Sequence, residues 1–146
     1  MHKNTKKILF VTAAAIIVVT AVTGYFMWNK PHKDVKAADS VKITAVDLYN
    51  IFITDSLKAK SSYTDKVVEV SGRIAQVSVN QQQQQVILIK TAVDGAYINC
   101  TMEEKAVGLK AGDDITIKGI CSGYISADAD MGLPGDVFLI RGYLSK

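Results

Sequence analysis

The sequence predicts a mainly β protein: an N-terminal transmembrane helix, then a lead-in helix, then a five-stranded barrel. Three observations predict it. No residue from Ile8 to Trp28 is charged. Apolar residues recur at helical spacing between Thr44 and Lys60. From Lys66 onward, five runs with strand character alternate with turn signals, and the longest carries an internal glycine.

The uncharged run is 21 residues long, ~32 Å as a helix, which matches the hydrocarbon thickness of a bilayer. Tyr25 and Trp28 close it with amphipathic rings suited to the headgroup region, and Lys6, Lys7, Lys30 and Lys33 flank it. A cleaved signal peptide has an apolar stretch of only ~7–15 residues with a small-residue site close behind. The nearest such pattern here, Val35-Lys36-Ala37, lies past Pro31 and several lysines, so the run reads as an uncleaved signal anchor. No cysteine lies near it to accept a lipid. Lys3, Lys6 and Lys7 before the span balance Lys30, Lys33 and Lys36 after it. The tail is short and purely basic, the kind that stays in the cytoplasm, so the domain is expected to be extracytoplasmic (periplasmic). The predicted organisation is a basic tail over 1–7, the membrane helix over 8–28, a polar stalk over 29–40 and one domain over 41–146.

The formal charge of +3 divides unevenly. Residues 1–36 hold six lysines and one aspartate, a net +5, whereas residues 37–146 hold eleven basic and thirteen acidic residues, a net −2. The positive charge therefore belongs to the membrane flanks. A mildly acidic domain disfavours nucleic acid as a partner.

Within the domain, Thr44 to Lys60 reads as a helix. Thr44 can cap it, Asp47 suits the positive end of its dipole, and Ala45, Leu48, Ile51, Phe52 and Ala59 mark its packed face. Ser61 to Asp65 breaks the pattern. The first strand, Lys66 to Val79, alternates around Val68, Val70, Ile74 and Val77, and Gly72 predicts a bend. Gln81 to Gln85 reads as a solvated hairpin tip before the second strand, Gln85 to Lys90. Asp94-Gly95 signals a turn into the third, Ala96 to Met102. A short helix over Glu103 to Leu109 and a turn over Lys110 to Asp113 lead to the fourth, Asp114 to Ile125. A flexible loop, Ser126 to Asp136, precedes the last, Val137 to Leu144. This order is that of an OB-fold barrel, whose closure hides the edges of so small a sheet. Half of a β-sandwich or an open meander accommodates the same strands.

Lys66-Val67-Val68-Glu69-Val70-Ser71-Gly72, Leu109-Lys110-Ala111-Gly112-Asp113, Ile117-Lys118-Gly119-Ile120-Cys121-Ser122-Gly123-Tyr124 and Asp136-Val137-Phe138-Leu139 together resemble the tRNA-anti-like OB-fold family of bacterial proteins. The helix from Ala45 to Ala59 resembles that family's lead-in, and the likeness covers roughly residues 41–144. The resemblance implies an OB fold, frequently behind a membrane or lipid anchor. The family name implies nucleic-acid binding, by fold analogy only.

The chemistry-bearing residues are few. Cys100 and Cys121 are the only cysteines. In an oxidising compartment they can form a disulfide; otherwise they are buried free thiols packing as small hydrophobes. The only histidines, His2 and His32, precede the domain, so no metal site and no Ser-His or Cys-His pair is expected within it. Glu103-Glu104 and Asp113-Asp114 fall at turns, where adjacent acids are solvated. Asp128-Ala129-Asp130-Met131-Gly132 lacks the further ligands of a calcium loop. No catalysis and no cofactor are expected. The candidate binding face comprises Arg73, Lys90, Tyr97, Lys118, Tyr124, Arg141 and Tyr143, with Phe138 as a further aromatic. An envelope protein, peptide or glycan is the expected partner, besides the membrane at 8–28. Nucleic acid is the alternative. A haem-type chaperone ranks below it, because the domain lacks the histidine such a protein uses to hold haem.

Overall fold

The computed structural model describes residues 2–29 and 34–145, with the side chains of residues 2–11 outside the description. The chain separates into two compact units, Met1–Asp34 and Val35–Lys146.

In the first unit, α1 runs from His2 to Trp28. Ile16, Ile17, Val18 and Val19 are each at least 60% exposed, and successive residues point about 100° apart, so its apolar surface is not confined to one face. The Thr20 and Thr23 hydroxyls donate back to the carbonyls of Ile16 and Val19 at 2.9 and 2.7 Å, which satisfies them within the helix. Among the described residues no helix is long and apolar enough to cross a membrane. The span expected over 8–28 is helical throughout, but its side chains at 8–11 lie outside the described residues, as do residues 30–33 of the expected stalk.

The second unit is an OB barrel. β1 (Val41–Thr44) leads into α2 (Ala45–Thr54) and α3 (Ser56–Tyr63), followed by β2 (Val67–Val79), β3 (Gln85–Lys90), β4 (Tyr97–Met102), β5 (Asp114–Ile125) and β6 (Asp136–Leu144). The sheet runs β1-β2-β3-β4-β6-β5, and a further β2–β5 pairing closes the barrel. β4 and β6 are parallel; the other barrel neighbours are antiparallel. Closure settles the choice among barrel, half-sandwich and meander.

β2 closes the barrel by changing partners along its length. Val67 to Arg73 pair with β5, and Ile74 to Val79 pair with β3. Gly72 sits at the changeover. A register shift between Ile74 and Gln76 moves the inward positions from Val68, Val70 and Ile74 to Val77. The interior is filled by aliphatic and thiol side chains, among them Val70, Ile87, Ile98, Ile117 and Leu139, and among the described residues no polar or charged one is buried.

Three elements differ from the sequence expectations. The single helix is two, because the Asp55 carboxylate accepts from Lys58 N at 3.0 Å and starts α3 where α2 ends. Residues 103–109 form no helix. There the Gln85 side chain behaves like a strand neighbour, donating to Ala106 O at 3.0 Å and accepting from Ala106 N at 2.7 Å. That role also separates Gln85 from the turn at 80–84, which the Asn80 side chain organises by accepting from Gln82 N and Gln84 N. The barrel mouth is covered instead by α2, through buried Ala45, Leu48, Tyr49 and Phe52. Finally, the later part of the expected stalk lies against the barrel. Val35 is 2% exposed, Lys36 O accepts from Lys118 Nζ at 3.0 Å, and β1 adds a parallel strand to β2. Four residues of modest alternation carry no strand signal for β1.

Candidate functional site

The residues expected to share one binding face are dispersed over the barrel. Arg73 and Lys90 border an open cleft of about 1000 Å³, floored by Ala45, Gly72, Ile115 and Leu144. Arg73 forks onto Asp114, with Nε at 3.0 Å and Nη2 at 3.1 Å from the two carboxylate oxygens. This pairing raises the pKa of Arg73 and holds that of Asp114 below the ordinary carboxylate value, first through hydrogen bonding and then through charge. The cleft contains no aromatic ring on which a base could stack.

Lys118 and Tyr143 lie on another part of the wall. The pairings Lys42↔Glu69, Glu69↔Lys118 and Lys118↔Tyr143 set these four side by side across β1, β2, β5 and β6. Glu69 accepts from Ser145 Oγ at 3.0 Å and Ser40 Oγ at 3.1 Å; these bonds, aided by Lys42 and Lys118, lower its pKa. Lys36 Nζ sits 4.7 Å from the Tyr143 ring centroid and 2.6 Å from Glu104 Oε1. These cations are engaged with the protein's own groups.

Tyr124 belongs to the packing under α2 rather than to an exposed face. Its ring stacks on Phe52 at 6.0 Å and meets Tyr49 edge-on at 6.1 Å. Burial, then the neighbouring Tyr124 charge and hydroxyl, then Asp136, raise the Tyr49 pKa. Tyr97 pairs with Lys90 across β3–β4, and its N–H donates to Asp136 Oδ1 at 2.8 Å. Arg141 stands in the left-handed region of β6, at φ 55°. Arg73 and Lys90 line one cleft and Lys118 lines another.

The cysteines are free and buried. Cys100 and Cys121 both face Leu139, on the two strands flanking β6. Two strand spacings are ~9–10 Å, beyond the ~7 Å limit between α-carbons joined by a disulfide. The sequence could not show the intervening strand. Burial pushes the Cys121 thiol up to about 11 and raises Cys100 further. Among the described residues no cluster of three metal-ligating side chains occurs.

Sequence reasoning missed a groove of about 710 Å³ between the end of α3 and the outer face of β5 and β6, lined by Thr64, Gly123, Ile125, Phe138 and Ile140 among others. Its parts are 58 to 76 residues apart between Thr64 and Ile140 or Ser122, so only the fold assembles it. The expected flexible loop beside it holds a small hairpin, in which Asp128 and Leu133 exchange backbone bonds at 2.9 and 3.0 Å.

A closed five-stranded barrel in this strand order, capped by a helix at one mouth, defines an OB-fold protein. The chain belongs to the tRNA_anti-like family, whose model matches residues 1–131. No curated protein matches it. Among solved structures it is similar to a lipoprotein from Klebsiella pneumoniae, provisionally described as nucleic acid-binding. The identity is 18% and the TM-score 0.48, over 80% of this chain and 100% of that one. It is also similar to a protein from Leishmania major, provisionally described as an aspartyl-tRNA synthetase. There the identity is 5% and the TM-score 0.44, over 86% of this chain and 25% of that one.

Proposed function

We propose that the chain is a membrane-anchored, extracytoplasmic OB-fold module that binds an envelope protein, peptide or glycan without catalysing a reaction. The observation that carries this reading is the barrel interior, filled with aliphatic side chains and free of buried charge. Such a barrel has no room inside for a ligand, so recognition falls to its outer surface. The anchor is supported by the 21 uncharged residues from Ile8 to Trp28, and by threonine hydroxyls that bond within α1, as apolar surroundings require. The short basic tail supports the orientation. Dispersed and engaged cations on a domain of net −2 weigh against nucleic acid.

The test uses a Val107→Cys chain, because Val107 is 96% exposed whereas both native cysteines are buried. In intact cells, an impermeant thiol reagent is expected to label it without lysis. Labelling that requires lysis refutes the orientation. Retention of the full chain on a polyanion column, falling steeply with salt, would instead favour nucleic acid.

A further inference from the structure

We infer that the groove beside β5 receives an extended peptide segment of a partner protein, which adds to β5 as a strand. The inference deepens the proposed function by naming the partner's class, and it rests on that reading only in taking the ligand to be a macromolecule.

The free edge is the first observation. β2 accompanies β5 as far as Val67↔Ile120, with a last bond from Asp65 N to Cys121 O at 2.8 Å. From Ser122 to Ile125, β5 is paired to β6 alone, through Gly123↔Phe138, Tyr124↔Val137 and Ile125↔Asp136. Among the described residues no backbone hydrogen bond joins this stretch to α3. Its other edge opens on the groove, and a Cβ built at Gly123 meets nothing within 4 Å, which leaves room for another backbone to approach.

Along an open edge the N–H and C=O groups of every second residue recur, ~6.8 Å apart, a pattern that another extended chain complements. Lysine and proline, common protectors of such edges, are absent from Ser122 to Ile125. Beside the edge stand Ile125, 64% exposed, Ile140, 42% exposed, and half-buried Phe138, which offer seats for alternate apolar side chains. Across the groove, Thr64 Oγ1 is the one side-chain polar atom among the described residues that is buried without a partner. A buried hydroxyl in that state costs free energy that an incoming amide can recover. The rim carries Lys60 and Asp65, one charge of each sign, and so gives a polyanion no net attraction.

The test is a selection of random peptides of about twelve residues against the full chain in detergent, followed by synthesis of the enriched sequence. Expected are peptides with alternating apolar residues that protect from hydrogen exchange the amide of Tyr124, the residue of this stretch whose N–H faces away from β6. Methylating alternate peptide nitrogens is expected to weaken binding at least about tenfold, as is Ile125→Lys, and Thr64→Val about fivefold. Both variants should fold, since Ile125 is exposed and Thr64→Val removes an unsatisfied hydroxyl. The inference is overturned by failure to enrich any peptide, or by an N-methylated peptide that binds undiminished. Protection of the same amide by a deoxythymidine oligomer or a chitin oligosaccharide, in place of a peptide, also overturns it. Failure of the Val107→Cys labelling experiment would remove the extracytoplasmic setting and leave the peptide result standing.

Discussion

Replacing Gly72 with alanine should destabilise the domain through one added methyl group. Gly72 lies where β2 exchanges β5 for β3, beneath the first residue of α2. A Cβ there would stand 2.5 Å from Ile89 Cγ2 and 3.1 Å from Ala45 Cβ. Carbon atoms pack comfortably at ~3.5–4.0 Å, so either Ile89 or the start of α2 must withdraw by about 1 Å. Ile89 is fully buried, and Ala45 is fixed by the Thr44 cap, whose Oγ1 accepts from Asp47 N at 3.1 Å. Overpacking of this kind costs ~1–3 kcal/mol. The lost freedom of the unfolded chain returns ~0.4–1 kcal/mol. A net loss of ~1–2 kcal/mol follows, or ~5–15 °C in Tm for a domain of this size.

The assay is thermal and urea unfolding of the full chain in detergent. Ile89→Ala, which removes the opposing Cγ2, should cost ~2–5 kcal/mol alone. Combined with Gly72→Ala it should cost at least ~1 kcal/mol less than the sum, because the second change opens the space the first one needs. Stability of Gly72→Ala equal to that of the parent, or strict additivity in the double variant, would refute the packing argument.

Gln85→Ala should cost ~1–3 kcal/mol by stripping Ala106 of both its side-chain partners, while Gln81→Ala and Gln82→Ala leave the urea midpoint unchanged. Equal effects at the three positions would sink that distinction. Phe52→Ala should cost ~3–5 kcal/mol and release the Tyr124 ring, read as a Tm loss together with increased tyrosine mobility by NMR. Burial raises the Asp136 pKa against the opposing effect of the Tyr97 N–H. Its stabilising contribution is therefore full below the unfolded-state pKa and is lost as pH rises through the folded value. Asp136→Asn keeps an acceptor for Tyr97 and removes that loss, so its stability relative to the parent should grow from acid to neutral pH; a declining difference would contradict the burial argument. Reducing agent should leave Tm unchanged, and a thiol reagent should reach Cys100 and Cys121 only as the chain unfolds. A reducing agent that lowered Tm would mean a bridge the strand register forbids.

The sequence pattern by itself determined where the five barrel strands run, through alternation around Val68 and Ile117, the apolar run Val86 to Ile89 and turn signals such as Asp94-Gly95. It also marked Gly72 as the bend and Thr44 as a cap. Tertiary context decided the rest. Asp55 ends one helix and starts another by accepting from Lys58 N, a choice that helical spacing alone does not register. The Gln85 side chain takes up the backbone of Ala106, and a segment with helical character forms no helix. Leu139 stands between two cysteines 21 positions apart in the chain, and the charged and aromatic residues separate onto different walls of the barrel. The groove at β5 exists because β2 begins only at Val67, opposite Ile120, and leaves the edge of β5 beyond that point uncovered. Local sequence sets which way a side chain faces along its own strand, but which strands become neighbours is fixed by barrel closure, and that closure separates Cys100 from Cys121 and assembles the groove.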